Sequence, residues 1–391
     1  MSTAVIIDVI RTPSGKGKPG GALSEIHPAT LLADLLRTLV DKHDLDPARI
    51  DDVITGCVTQ SGEQAVNIGR TAVLAAGFPD SVPATTIDRQ CGSSQQAAAF
   101  AAQGIASGMY DIAIACGVES MSRAPMFSNV GDKDPSIGPL TARYPDGLVS
   151  QGIGAELIAA RWKFDREQLD AYAARSHRLA AAAAERLQFD QIAAVHTATG
   201  LVSVDETVRP ATTHDSLAAL IPVFQSHAIS ARFPEIDWSI TAGNSSPLTD
   251  GASAALIMSE HTAAALGLTP RARFHSFAVA GSDPLLMLTG PIPVTEKILA
   301  RSGLRLEDID TYEVNEAFAP VPLMWQSHFD TDPDKLNPAG GAIALGHPLG
   351  ASGGRLLASM LTYLEATGGR YGLQTMCEGG GMANATIIER L

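Results

Sequence analysis

A pattern that occurs twice, 259 residues apart, constrains this chain more than any single motif does. Leu45 followed by Ile50-Asp51 in the first copy matches Leu304 followed by Ile309-Asp310 in the second. Further along, TIDRQCGSSQQAAAFAAQGIASGMYDIAIACG joins a Gly/Ser turn to an Ala-rich helix and then to an apolar strand ending in a cysteine. GGAIALGHPLGASGGRLLASMLTYLEATGGRYGLQTMCEGGG keeps that order, and the same offset carries Cys91 and Cys116 to within three residues of His347 and Cys377. Self-similarity at a fixed spacing signals a repeated structural unit. The expectation is a duplicated fold in which the Cys91 turn faces the His347 turn across a pseudo-twofold. Two unrelated strand–helix–strand units are the competing reading, and they leave four landmarks in register unexplained.

Within each copy, strand and helix signals alternate, which favours an α/β fold. AVIIDVI (4–10) reads as a short buried strand, ATLLADLLRTLVDKHDL (29–45) carries leucines at helical spacing, and IDDVITGCVTQ gives a second strand. Between the copies, residues 119–242 differ in composition. They open with the loop formers SMSRAPMFSNVGDKDPSIGPLTARYPDG and contain a long helix announced by Asp165-Arg-Glu-Gln168, a capping-box spacing. The expected organisation is therefore an N-terminal half (1–118 plus 243–268), a loop domain (119–242) covering the site, and a C-terminal half (269–391).

Composition narrows the function. The 42 acidic against 28 basic side chains give a formal net charge of −14, which argues against nucleic acid as a partner, since phosphate backbones call for a basic surface. No stretch of about 18 apolar residues suggests a membrane span, and the N-terminus lacks a signal-peptide pattern. Four cysteines without CxxC spacing fit a reducing compartment, so the chain is expected in the cytoplasm. Zinc patterns such as HExxH and the Walker GxxxxGK[ST] motif are absent, and no metal is expected.

The chemistry then concentrates on three side chains. Cys91 lies between a strand and a helix starting near Gly92-Ser93-Ser94, where backbone N–H groups and the helix dipole favour a thiolate; an inert core cysteine is the alternative. His347, in the turn AIALGHPLGASGG, gains significance from the repeat, because a histidine beside a cysteine can accept its proton. Cys377 precedes Glu378 and three glycines, which imply close backbone approach or positive φ and N–H groups free to bind an oxyanion. Cys57 and Cys116, in apolar strands, read as buried packing residues.

At this point the chain resembles the thiolases along essentially its whole length. The resemblance rests on DRQCGSSQQA (88–97), TAGNSSPLTDGASA (241–254), NEAFAP (315–320), NPAGGAIALGHPLGASGGR (337–355) and CEGGGMANA (377–385). It implies a thiolase fold of two βαβαβαββ halves in a five-layer α-β-α-β-α arrangement, with an inserted loop domain that binds coenzyme A. It also implies a homodimer or homotetramer, with coenzyme A and acyl-CoA thioesters as partners and no tightly bound cofactor. By resemblance, Cys91 is the acylated nucleophile and Cys377 the acid/base. His347, with a water held by Asn315, forms one oxyanion hole, and the N–H groups of Cys91 and Gly379 form the other. Ser246 matches a serine that contacts the pantetheine arm.

Departures from the family pattern are informative. Its NRxCxSG becomes Asp88-Arg89-Gln90-Cys91-Gly92-Ser93-Ser94, and a basic residue before PxF is replaced within Ala219-Leu220-Ile221-Pro222-Val223-Phe224. Ser150 and Gln151 stand where short-chain enzymes carry His-Met, which predicts a roomier, more polar acyl pocket and a likeness to thiolases of steroid-degrading bacteria. Thiolytic cleavage of a 3-oxoacyl-CoA is the expected reaction. The alternatives are the reverse acetyl-CoA acetyltransferase reaction and a non-catalytic CoA or lipid carrier.

Overall fold

The computed structural model describes residues 2–133, 138–186 and 191–391, so part of the loop-former stretch lies outside the described residues. Strands β1 (Ala4–Arg11), β2 (Gly15–Lys16), β3 (Asp52–Gly56), β4 (Ala84–Ile87) and β5 (Ile112–Ser120) precede a separate small hairpin, β6 (Val195–Thr197) and β7 (Gly200–Val202). Then follow β8 (Thr249–Ser259), β9 (Ala272–Gly281), β10 (Thr311–Val314), β11 (Tyr371–Glu378) and β12 (Met382–Arg390). The main sheet runs β10-β11-β12-β9-β1-β8-β5-β3-β4, with β2 beside β8.

That order contains the duplication. In the N-terminal half β1, β8, β5 and β3 are successive neighbours, paired antiparallel, antiparallel and parallel. In the C-terminal half β9, β12, β11 and β10 follow with the same three senses. Within the sheet, the described residues join the halves at Val5↔Arg273 and Ile6↔Ala272, between β1 and β9. Strand β4 has no counterpart and forms an edge next to the Cys91 turn.

Helices complete the layers. Pro28–Lys42 starts with proline in its first turn and His27 as N-cap, and its leucines at 31, 32, 35, 36 and 39 face β5 and β8. It stops three residues short of the sequence expectation, where Asp44 turns left-handed (φ 47°). Helix Pro291–Ser302 covers β9 and β12 on the far side. Helices Ser93–Ser107 and Ser352–Thr367 lie between the halves and pack on each other, alanines of the first and leucines of the second meeting Ile6, Ile54 and Ile388. Helix, sheet, helix pair, sheet and helix is the expected five-layer order. The helix at Arg166–Arg186 opens with the predicted reciprocal cap, Asp165 N–H to Gln168 Oε1 (3.0 Å) and Gln168 N–H to Asp165 Oδ1 (2.8 Å). Among the described residues no helix is long and apolar enough to cross a membrane.

Candidate active site

The two central helices present their N-termini to each other. Gly354 N–H donates to Ser94 Oγ at 3.0 Å, and a Cβ on Gly353 would lie 2.2 Å from Gln95 N, so only glycine permits this approach. Ser94 therefore has a task that a glycine could not perform.

Cys91 precedes the N-cap Gly92 and follows Gln90, which is held left-handed at φ 49°. Such a conformation is costly for a non-glycine residue and persists only where neighbours over-determine it. Here Asp88 Oδ1 accepts Gln90 N–H at 2.6 Å, while Ser93 Oγ accepts from Arg89 N–H (2.9 Å) and donates to Gln90 O (2.6 Å). Asp88 thus supplies the acceptor that holds this turn. The Cys91 thiol is buried beside Leu356 and Met376.

One sequence expectation fails at this position. Rather than being eased toward thiolate by the helix terminus, Cys91 is pushed well above the usual thiol range, first by burial and then by Cys377 and Glu378. Desolvation of the charged form outweighs the dipole. The resting nucleophile is a neutral thiol that needs a base.

His347 is the base expected from the sequence. Its backbone N–H donates to Thr249 Oγ1 (3.0 Å), and its Nδ1 lies 2.5 Å from Ser352 Oγ. Ser352 spends its single proton on Pro348 O (2.9 Å), so Nδ1 must be the protonated nitrogen and Nε2 carries the lone pair. Burial, with the Arg355 charge second, lowers the imidazole to about 3, which keeps it neutral. Nε2 faces Asn315 Nδ2 at 3.3 Å, and Asn315 Oδ1 is buried without a hydrogen-bond partner among the described residues. An unpaired buried acceptor of this kind calls for water or ligand.

Asn315 is held by its N–H to Thr375 O (3.1 Å), and the adjacent Glu316 accepts from Tyr172, Ser176, Asn337 and Ile343 N–H. Ser246 lies against the same loop, its N–H and Oγ both on Ala317 O at 3.0 and 3.1 Å. Cys377 is the penultimate residue of β11, buried and pushed up to about 12 by burial and then Glu378. In the glycine turn after it, Gly380 and Gly381 take positive φ (80° and 77°), whereas Gly379 does not and rests against the Gln90 side chain. Ser150 stands at the N-cap position of the helix Gln151–Trp162, without a side-chain capping bond. That helix leans through Gly154 on Leu286 O, and the neighbouring Ser282–Pro284 segment crowds Gly381. The helix thus meets the glycine turn through an intervening loop. Cys57 and Cys116 are buried, Cys116 with its Sγ 3.1 Å from Thr55 Oγ1.

Residues 4–261 match the family model of the thiolase N-terminal domain and residues 268–390 that of the C-terminal domain. The chain belongs to the thiolase family. It is 48% identical over 400 residues to a steroid 3-ketoacyl-CoA thiolase of Mycobacterium tuberculosis, covering 100% of this chain and 95% of that one. To a 3-ketoacyl-CoA thiolase of Pseudoalteromonas atlantica it is 44% identical, with both chains covered in full. Among solved structures, the acetyl-CoA acetyltransferase of Bacillus anthracis superposes with a TM-score of 0.88 at 36% identity, over 100% of this chain and 99% of that one.

Three site residues of this thiolase escaped the sequence reading. Ser352 fixes the imidazole tautomer from five positions downstream. Glu119 draws the two halves together by accepting from Val58, Thr59, Gln64 and Gly350. Glu378 abuts the Cys91 turn, since a Cβ on Gly92 would meet its Oε1 at 2.1 Å. Only the serine carried a signal, the ASGG that opens the second helix as CGSS opens the first.

Proposed function

We propose that this thiolase works in the degradative direction, cleaving a 3-oxoacyl-CoA with CoA to release acetyl-CoA or a related short acyl-CoA and a shortened acyl-CoA. A His347 whose Nε2 carries the lone pair, in the same site as a neutral buried Cys91, supports the reading: an unionised thiol becomes a nucleophile only if a base receives its proton as it attacks. Cys91 Sγ adds to the 3-oxo carbon while His347 Nε2 takes the thiol proton. The resulting oxyanion is met by the N–H groups of Cys91 and Gly379 or by imidazolium and the Asn315-held water, each donor being worth about 2.7–4 kcal/mol. Collapse breaks the C2–C3 bond, and its electron pair becomes the acetyl-CoA enolate, which is protonated by Cys377. Incoming CoA then gives its thiol proton to the Cys377 thiolate and attacks the acyl group. Cys91 leaves as thiolate and recovers its proton from His347.

The CoA arm is assigned to the face carrying Ser246. Leu220, Ile221 and Val223 are exposed there, between Leu217–Leu220 packing on Gly243 and Phe224 packing on Gly152, which suits a pantetheine chain and leads to Ser150 and Gln151. The polar pair supports bulky or oxygenated acyl groups, such as a steroid-derived thioester, over acetoacetyl. Edge strand β4, half-exposed and paired only to β3 among the described residues, supports a homodimer through strand addition, with a homotetramer built from two such pairs. Four unpaired, buried cysteines support a cytoplasmic setting without disulfides. CoA is assigned as co-substrate and no tightly bound cofactor is assigned.

The test is CoA-dependent loss of absorbance of the enolised 3-oxoacyl-CoA, across acyl groups from acetoacetyl to polycyclic. Cleavage that is fastest on the bulky substrates supports the proposal. Turnover only in the condensing direction would favour the acetyltransferase reading, and CoA binding without turnover would favour a carrier.

A further inference from the structure

Glu378 is fully buried, yet both its carboxyl oxygens are without a hydrogen-bond partner among the described residues. It lies against the nucleophile's own turn: a Cβ on Gly92 would meet Glu378 Oε1 at 2.1 Å, with Asn384 Nδ2 at 2.7 Å and Oδ1 at 2.9 Å from the same point. Asn384 makes no hydrogen bond to the carboxyl: its Nδ2 donates to Gly92 O (3.0 Å), and its Oδ1 is another unpartnered acceptor. A carboxylate in such a place would be buried, unpaired and beside a second acceptor, which is among the costliest arrangements for a charge.

The charged and titratable groups around it come from two elements. The turn before helix Ser93–Ser107 supplies Asp88, Arg89 and Cys91, and β11 supplies Cys377. Glu119 of β5 acts on Cys91 as well. Arg89 alone favours the anion, and Asp88 opposes it. An ionised Glu378 would in turn raise both thiols.

We propose that Glu378 is a positioning residue that must stay a neutral carboxylic acid for this thiolase to turn over, and that its ionisation switches the site off at alkaline pH by placing a negative charge against Cys91 and Cys377. The charge opposes every anionic species on the path: the Cys91 thiolate that departs in deacylation, the Cys377 thiolate and the two oxyanions. Burial carries the group up to about 8. This folded value lies above the ordinary carboxylate range, so the proton is held through neutrality and lost as pH rises through about 8. The inference rests on the thiolytic reading above.

The experiment compares the pH dependence of kcat/KM for thiolysis in the wild type and Glu378→Gln, which keeps the shape and cannot ionise. Limbs due to CoA or to substrate enolisation are common to both enzymes and cancel in the ratio. The ratio of variant to wild type should climb about tenfold per pH unit once the acid has titrated. Glu378→Asp, which still ionises, should keep an alkaline limb. A flat ratio from pH 7 to 10, or a folded Glu378→Gln enzyme inactive at every pH, would overturn the proposal. A measurement on the wild type alone guards against a variant that does not fold: the rate of Cys91 alkylation by iodoacetamide, followed by peptide mass spectrometry. Coupling to Glu378 spreads the thiol's titration over two macroscopic steps, whereas a single step refutes the coupling. Because alkylation needs no turnover, it separates failure of this inference from failure of the thiolase reading.

Discussion

Strands β5 and β11 occupy the same place in the two halves, and each carries a cysteine that burial pushes up to about 12. Their acidities do not distinguish them; their positions along the strand do. Cys116 is mid-strand, bonded to Thr55 and sealed under the helix Pro28–Lys42. Cys377 is one residue from the strand end, where the ladder gives way to a glycine turn and a second thiol lies within electrostatic reach. The duplication thus supplies two equivalent scaffolds, and the strand end decides which of them carries chemistry. The same holds for the helix starts, where in the proposed mechanism one half offers the nucleophile and the other its base.

The sharpest way to break this comparison is to remove the chemical groups one at a time. His347→Ala should lower both acylation of Cys91 and carbon–carbon cleavage by at least about 10³-fold, because base and oxyanion donor vanish together. Cys377→Ala should cost about 10³-fold in cleavage, yet leave acyl exchange between Cys91 and acyl-CoA measurable, since exchange needs no proton at carbon. Isotope exchange and mass spectrometry of the acyl-enzyme separate the two. Equal losses in every partial reaction would contradict the division of labour.

Ser352→Ala comes next. Without Ser352 Oγ the buried Nδ1–H has no acceptor and the imidazole can adopt the tautomer that protonates Nε2, leaving no lone pair for the thiol. Loss of a buried hydrogen bond to a group that becomes charged is worth about 1.5–3 kcal/mol, so kcat/KM should fall roughly 10- to 100-fold. Ser352→Thr, which keeps the hydroxyl, should recover much of it. Retention of full activity in the alanine variant would mean that another group orients His347.

What could be read in advance follows from how local each cause is. The repeat, the alternation of strands and helices and the cap at Asp165–Gln168 depend on neighbours within one element or on the hydrophobic pattern, and both are written in the order of residues; the five layers are implied by the resemblance instead. The acidity of Cys91 depends on Glu378, 287 positions away, and on burial by a helix from the other half. A helix-start signal therefore pointed to a thiolate where the packed molecule holds a thiol. Glu378 went unnoticed for the same reason: in CEGGG the glycines announce a turn, while nothing nearby says that the glutamate will be sealed against Gly92. The departures at Asp88 and Ser94 were legible as changes, and only the folded partners, Gln90 N–H and Gly354 N–H, show how each is accommodated.

A smaller effect is expected at the cover. Ser150→His with Gln151→Met should shift preference toward acetoacetyl-CoA by about tenfold in the ratio of kcat/KM values, the size typical of a pocket altered by a few atoms. The shift should come from substrate fit with Cys91 acylation chemistry intact. Unchanged ratios, or a wild type already fastest on acetoacetyl-CoA, would remove Ser150 and Gln151 from substrate selection.

The smallest effect should come from the cysteine that the comparison leaves inert. Cys116→Ala removes one sulfur from a sealed core and frees Thr55 Oγ1 from its 3.1 Å contact, which sets the loss at about 1 kcal/mol, ordinary for a core truncation of this size. Cys116→Ser restores a partner for Thr55 but introduces a hydroxyl into apolar packing, so it should not be more stable than the alanine variant by more than a few tenths of a kcal/mol. Neither change should alter the acylation of Cys91, because the helix Ser93–Ser107 is held at its start by Ser93, Asp88 and Gly354 rather than by β5 at position 116. Urea unfolding would report the stability and the thiolysis assay the rate. A rate defect in Cys116→Ala comparable to that of Cys377→Ala would show that the strand end does not divide structural from chemical thiols in this fold.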